Sequence, residues 1–246
     1  MLLNNEHLEP LSKDYSVIVS SQHTFNTDTI LLAAFSKPHR GDVCADFGTG
    51  CGTIPLIWCT RSQPRHIYAV ELQHAACDMA TRSIELNHLE QMIQALNIDI
   101  KELKNKKVLQ NLDLIACNPP YNAVGTGIAS TDESQLIARH EAQCSLHDLA
   151  DAAAAALKFG GKFCLCQRPE RLCDTIVELR KAGIEPKRLR FVQHTAAKAP
   201  SLFLLEGRRG GKPGLIVSPP LLIKDELGNF SNEMNQIYGA YGEGRA

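Results

Sequence analysis

Four consecutive residues, Asn118, Pro119, Pro120 and Tyr121, bring together groups that are chemically useful in combination. The two prolines fix φ and remove two backbone donors, so neither a helix nor a sheet continues through them. What is left is a carboxamide, a carbonyl with no competing N–H beside it, and an aromatic face. The Asn118 side-chain oxygen and the Pro119 carbonyl can both accept hydrogen bonds from an NH₂ on a planar group, while Tyr121 stacks on its ring. Acceptors on both amine hydrogens hold the nitrogen lone pair out of the ring plane, facing a donor. The chemistry indicated is alkylation of an amide-like or aromatic amine nitrogen. An ordinary proline turn after a strand presents the same four residues, so the tetrapeptide does not decide the matter alone.

A second constellation is Asp46-x-Gly48-x-Gly50-x-Gly52, with Thr49 inside it. A glycine turn between a strand and a helix lets backbone N–H groups approach a ligand at the positive end of the helix. Dinucleotide folds use G-x-G-x-x-G, which this is not, and no Lys-Ser/Thr pair closes the loop as a phosphate-gripping turn would require. An acid at the strand end disfavours phosphate and favours a cation, such as the ammonium of an amino acid. Further along, Glu71 follows an apolar run where it can accept both hydroxyls of a ribose. Asp99 follows another and can accept from an adenine amine. Asp46, Glu71, Asp99 and Asn118 thus end four successive predicted strands, and in an open parallel sheet those ends line one crevice.

The elements that must position them follow from apolar runs and breakers. Strands are expected at Asp42–Phe47, His66–Val70, Met92–Ile98, Leu114–Cys117 and Lys162–Cys166, with helices at Thr53–Cys59, His74–Leu86, Leu146–Lys158 and Pro169–Ala182. Arg188–His194 and Ser201–Glu206 read as two late strands forming an antiparallel edge. Tyr15–Val19 reads as a hairpin strand, and Asp28 as the N-cap of an apolar helix ending near Ser36. Lys101–Lys107 reads as a solvated basic face. Asn122–Ser134, rich in glycine and small polar residues, reads as a lid, although an idle surface loop has the same composition.

At 246 residues and 44% hydrophobic content, the chain is long enough for one well-filled core. A formal net charge of -1 does not announce a nucleic-acid partner; any such partner needs a local basic patch. Nine cysteines lie mostly in apolar runs and form no C-x-x-C pair, so they read as small buried hydrophobes in a reducing compartment rather than disulfides or a metal site. The first residues are polar, and no run of about 18 apolar residues occurs, so no membrane span is expected and a cytoplasmic protein is.

Taken together, Phe25–Leu32, Asp46–Gly52, Asn118–Tyr121 and Arg139-His140-Glu141 resemble the bacterial tRNA(Val) adenine-N6-methyltransferase family. Gly160-Gly161-Lys162, Arg168–Leu172 and Pro186–Arg190 agree with it, and the resemblance spans about residues 15 to 240. It implies an α/β, Rossmann-like class I methyltransferase fold: a mostly parallel seven-stranded sheet with helices on both faces and an antiparallel edge strand. One domain, 1–246, is expected, with an N-terminal hairpin and helix extension (1–40), a core (41–210) and a C-terminal tail (211–246).

The implied cofactor is S-adenosyl-L-methionine, leaving as S-adenosyl-L-homocysteine. Gly48, Thr49, Gly50 and Gly52 would wrap its methionine part, with Asp46 near the ammonium. Glu71 and Leu72 would hold the ribose, and Asp99 and Ile100 the adenine. Phe25 and Asp28 would help close that pocket. Asn118, Pro119 and Pro120 would orient the target N6, and Tyr121 would stack on the flipped base. Arg139 would meet tRNA, and the charges themselves offer a candidate patch on the two late strands, Lys187, Arg188 and Arg190 with Arg208, Arg209 and Lys212, although a merely solvated face has the same composition. No metal is implied. A protein glutamine-N5 methyltransferase suits the same tetrapeptide, but that type generally carries a helical domain ahead of the glycine loop. A DNA or ribosomal-RNA amino-methyltransferase, and a cofactor-binding RNA module without turnover, also remain. A nicotinamide dehydrogenase needs the other glycine spacing.

Overall fold

The computed structural model describes residues 2–119 and 144–242. In chain order the elements are β1 (Glu6–Pro10), β2 (Ser16–Ser20), α1 (Thr27–Ser36), β3 (Val43–Phe47), α2 (Thr53–Arg61), β4 (His66–Glu71), α3 (His74–Leu86), β5 (Ile93–Asn97), α4 (Ile100–Lys106) and β6 (Leu112–Cys117). There follow α5 (Leu146–Ala156), β7 (Leu157–Gln167), α6 (Leu172–Lys181), β8 (Ile184–Gln193), β9 (Pro200–Arg209), β10 (Ile216–Leu222) and α7 (Asn232–Gly242).

The main sheet has the order β10-β8-β9-β7-β6-β3-β4-β5. Its middle strands, from β7 to β5, run parallel. They read as continuous apolar runs because each face is covered by helices. On β3 and β6 the side chains alternate between two cores. Cys44, Leu114 and Ala116 join Trp58 and the buried side of α1 and α2, whereas Ala45, Phe47, Ile115 and Cys117 join the alanines of α5. Helices on both faces of a mostly parallel sheet is the expected architecture.

Two details of that expectation are corrected. The sheet has eight strands rather than seven, because the tail supplies β10, parallel to β8. Pro219 and Pro220 concealed it. They are tolerated because β10 is an edge strand whose pairing shifts register between Ser218 and Leu221. The antiparallel strand is not at the edge. The β7–α6–β8 connection leaves a gap one strand wide, and β9 turns back from β8 to fill it, pairing antiparallel with both neighbours.

The N-terminal hairpin β1–β2 forms a separate two-stranded sheet docked on α3. The outer edge of β2 is satisfied by helix side chains: Ser16 N–H donates to Asn87 Oδ1 at 3.0 Å and Ile18 N–H to Ser83 Oγ at 3.0 Å. Arg82 clamps Glu6 through two 2.7 Å bonds, and that guanidinium holds the Glu6 carboxyl down near 2. Helix α1 is capped by Asn26, whose side chain accepts from Thr29 N–H at 3.2 Å. Asp28 lies inside the first turn instead of capping it. There its charge favours the helix dipole. Trp58 of α2 donates its indole N–H toward Ala33 O and Ser36 Oγ, fixing α2 against α1.

Candidate active site

From β3 the chain builds outward to β4 and β5, then returns to place β6 on the other side of β3. Where strand order reverses, the connecting loops part and leave a crevice at the carboxyl ends. A cleft of about 540 Å³ lies there. Gly48, Gly50, Glu71, Leu72, Asp99, Ile100, Asn118 and Pro119 all line it, so four strand ends do converge.

The glycine turn differs from expectation in what it offers. Gly48, Gly50 and Gly52 have φ of 72°, 57° and 88°, which side chains rarely adopt. A Cβ on Gly52 would also sit 3.3 Å from the Ala80 Cβ of α3. Yet the turn's N–H groups are already committed. Those of Gly48 and Thr49 donate to Val70 O, that of Gly50 to Glu71 Oε2 at 2.9 Å, and that of Gly52 to Thr49 O. A phosphate cradle needs such groups turned outward. This turn presents close backbone beside two carboxylates, which suits a cation.

Those carboxylates are differently held. Glu71 also accepts from Gln73 N–H at 2.8 Å, and Asn97 Nδ2 donates to the Glu71 and Leu72 carbonyls, so the end of β4 is fixed on both sides. Asp46 is 1% exposed, and its Oδ1 and the Thr49 Oγ1 are buried without hydrogen-bond partners. Burial pushes the Asp46 carboxyl up to about 7, with the Thr49 hydroxyl acting in the opposite direction and the Glu71 charge adding to the rise. A buried acid with an unpartnered oxygen is costly unless something pairs with it. Asp99 caps α4, accepting from Lys101 N–H at 2.9 Å, and so holds its carboxylate at the rim.

Asn118 follows β6 directly. Its Nδ2 donates to Thr29 Oγ1 at 3.2 Å, and its Oδ1 accepts from the Cys166 thiol at 2.9 Å. The carboxamide is therefore held between α1 and the end of β7. Neither partner was singled out from the sequence. Cys166 looked like one of many core cysteines, and Thr29 like an interior residue of a surface helix. Gln22, Thr24, Leu146, Leu149 and Gln167 also line the cleft without having been anticipated; they come from segments with no motif of their own.

Other predicted residues lie elsewhere. Phe25, Asp28, Asp46, Thr49 and Gly52 do not line the cleft itself; Asp46 and Thr49 lie buried beneath it, and Phe25 packs against the core beside α1. Pro120, Tyr121, the 122–134 loop, Arg139 and His140 lie outside the described residues. The six basic residues expected to meet tRNA do not all share one face. Arg188 stacks 3.9 Å over the Phe35 ring and bonds Phe35 O and Glu206. Arg190 grips Glu233 of α7 with both terminal nitrogens, and Lys187 Nζ bonds Lys212 O. Arg208 donates to Gly160 O, whereas Arg209, pointing to the opposite face, donates to the Ala154 carbonyl of α5 and to the Leu157 carbonyl that follows its end. Arg208 also pairs in register with Lys162, five residues (roughly 16 Å) along β7 from the Gln167 that lines the cleft.

Known proteins bear on this geometry as follows. The family model described as the methyltransferase small domain matches residues 16–180. A tRNA1(Val) (adenine(37)-N6)-methyltransferase from Tolumonas auensis is 30% identical over 210 residues, covering 84% of each chain. The chain belongs to the methyltransferase small domain family and to the tRNA1(Val) (adenine(37)-N6)-methyltransferase family. A second relative of that name, from Shewanella halifaxensis, is 26% identical to this family member and covers 86% of it and 80% of the relative. The methyltransferase fold also stands in solved structures. A predicted O-methyltransferase from Agrobacterium tumefaciens superposes with a TM-score of 0.71 at 18% identity, over 87% of this chain and 97% of that one. A T. thermophilus 16S rRNA methyltransferase superposes at 0.59 and 20% identity, over 85% of this chain and 52% of that one.

Proposed function

We propose that this chain transfers the methyl group of S-adenosylmethionine to the exocyclic N6 of an adenine in tRNA, in the anticodon loop beside the anticodon. The observation that carries this is the fixed Asn118 carboxamide at the mouth of a cleft walled by Glu71 and Asp99, with Asp46 buried beneath it. The names of the relatives support the substrate class.

The residues present fit the cofactor. The unpartnered Asp46 oxygen suits its ammonium, Glu71 its ribose hydroxyls and Asp99 its adenine, while the glycine turn leaves room for the methionine part. When bound, the cofactor supplies a methyl already activated on a positively charged sulfur. Asn118 and the Pro119 carbonyl orient the amine, and Tyr121 stacks on the base. Orientation supplies most of the effect, because the methyl needs no further activation. The amine proton becomes acidic only as the new bond forms, so no strong general base is required. A base in a folded RNA must leave its stack to enter such a site, which is cheapest in a loop.

The reading treats the chain as one working unit in the cytoplasm. Among the described residues, no helix is long and apolar enough to cross a membrane. The test is labelled methyl transfer into unmodified total RNA and, separately, into cell protein, with Asn118→Ala as control. Label in tRNA that digests to N6-methyladenosine, and disappears in the control, is the expected result. Label in protein alone would replace it with glutamine methylation.

A further inference from the structure

We propose that Thr29, on the first turn of α1, is a positioning residue for Asn118, setting which end of its carboxamide faces the target amine. The inference rests on the methyl-transfer reading and deepens it.

A carboxamide is symmetric in shape but not in function. Its oxygen accepts an amine hydrogen; its NH₂ repels one. Something must choose between the two orientations, and a chain of hydrogen bonds does so here. The Asn26 Oδ1 accepts from Thr29 N–H at 3.2 Å, which fixes that atom as an oxygen. Thr29 Oγ1 lies 3.3 Å from the same oxygen and must donate to it. A hydroxyl has one hydrogen, so Thr29 Oγ1 can only accept from its other neighbour, Asn118, 3.2 Å away. The atom of Asn118 nearest Thr29 is therefore the NH₂, and the amide oxygen is turned to the other side. There it accepts from the Cys166 thiol at 2.9 Å. An amide oxygen has two lone pairs, so this contact is compatible with acceptance from an amine. The polarity thus runs from the cap of α1 through Thr29 to the reacting end of β6, tying residues far apart in sequence.

Three variants read the proposal: Thr29→Val, which keeps the shape and removes the acceptor; Thr29→Ser, which keeps the acceptor; and Asn118→Ala as a marker. In Thr29→Val, kcat for tRNA methylation is expected to fall 10- to 100-fold, as misplacement at a reacting group does. S-adenosylhomocysteine affinity and Tm should stay close to wild type, and Thr29→Ser should regain most of the turnover. Independently of activity, the Asn118 side-chain NH₂ resonances, assigned by their loss in Asn118→Ala, should shift in Thr29→Val and not in Thr29→Ser. Unchanged kcat and unchanged resonances in Thr29→Val overturn the proposal. So does a loss of S-adenosylhomocysteine affinity matching the loss of kcat, which would make Thr29 a cofactor contact. If wild-type protein methylates no RNA, the functional reading fails, and the resonances still decide whether Thr29 orients Asn118.

Discussion

The Glu71 carboxylate accepts the Gly50 N–H at 2.9 Å, so the acid ending β4 and the turn following β3 form one unit. Neither can be altered without moving the other.

Replacing Glu71 by Ala removes the acceptor of two backbone N–H groups, those of Gly50 and Gln73, and the acceptor for a ribose. Hydrogen bonds to a charged group are worth about 1.5–3 kcal/mol. S-adenosylhomocysteine affinity is therefore expected to fall on the order of 10- to 100-fold, measured by titration calorimetry. Glu71→Gln, which retains one oxygen, should lose less.

Asp46 gives a pH dependence whose sign follows from its raised value. Between its ordinary 3.8 and about 7, the folded protein holds a proton that the unfolded chain releases. Its contribution therefore lowers stability as pH rises across that window. Melting of the ligand-free protein should show this fall, and Asp46→Asn should remove this component. If the ionised acid pairs with the cofactor ammonium, cofactor affinity should rise as pH passes through 7 in wild type and stay flatter in Asp46→Asn.

Gly52→Ala combines a left-handed backbone, at φ 88°, with a methyl 3.3 Å from Ala80 Cβ. The conformation alone costs about 1–2 kcal/mol for a residue with a side chain. Denaturant unfolding should show a loss of at least that size. A neutral result would mean that α2 and α3 separate easily.

Charge reversal at Arg208 and Arg209 is expected to act on stability. It strips donors from Gly160 O and from the end of α5. Tm should drop by several degrees, while tRNA affinity of the folded fraction stays unchanged in a filter-binding assay. A large affinity loss at constant Tm would return these arginines to the RNA surface.

The central strands and the converging acids were legible in the sequence because parallel strands buried on both faces are written as apolar runs with polar ends. Glu71 and Asp99 needed only the register of such runs. What was hidden depended on tertiary partners. Helix α4 has seven residues, with Leu103 the buried anchor among its described side chains, too little for a period, and its lysines read as plain surface. β10 was masked by its prolines. Helix α7 is held by what it meets: Met234 is fully buried, Glu233 binds Arg190, and the Tyr238 hydroxyl contacts Thr27 Oγ1 at 3.0 Å. The arginines were read together for the opposite reason. Clustered charge in sequence looks like a ligand surface, but β-strand alternation sent Arg209 to one face and Arg208 to the other. Cys166 carried no signal at all, since a thiol that orients an amide is spelled like one that fills a core.

The turned-in N–H groups of Gly48, Thr49 and Gly50 have a consequence for life among other nucleotides. A site that welcomes an adenosine meets ATP and dinucleotide cofactors far more often than it meets its own ligand. Here the peptide donors that would greet a phosphate already face Val70 and Glu71, and two carboxylates stand behind them. The same turn that shapes the cleft thus works as a filter, admitting adenosine with a positive tail and turning away adenosine with a negative one.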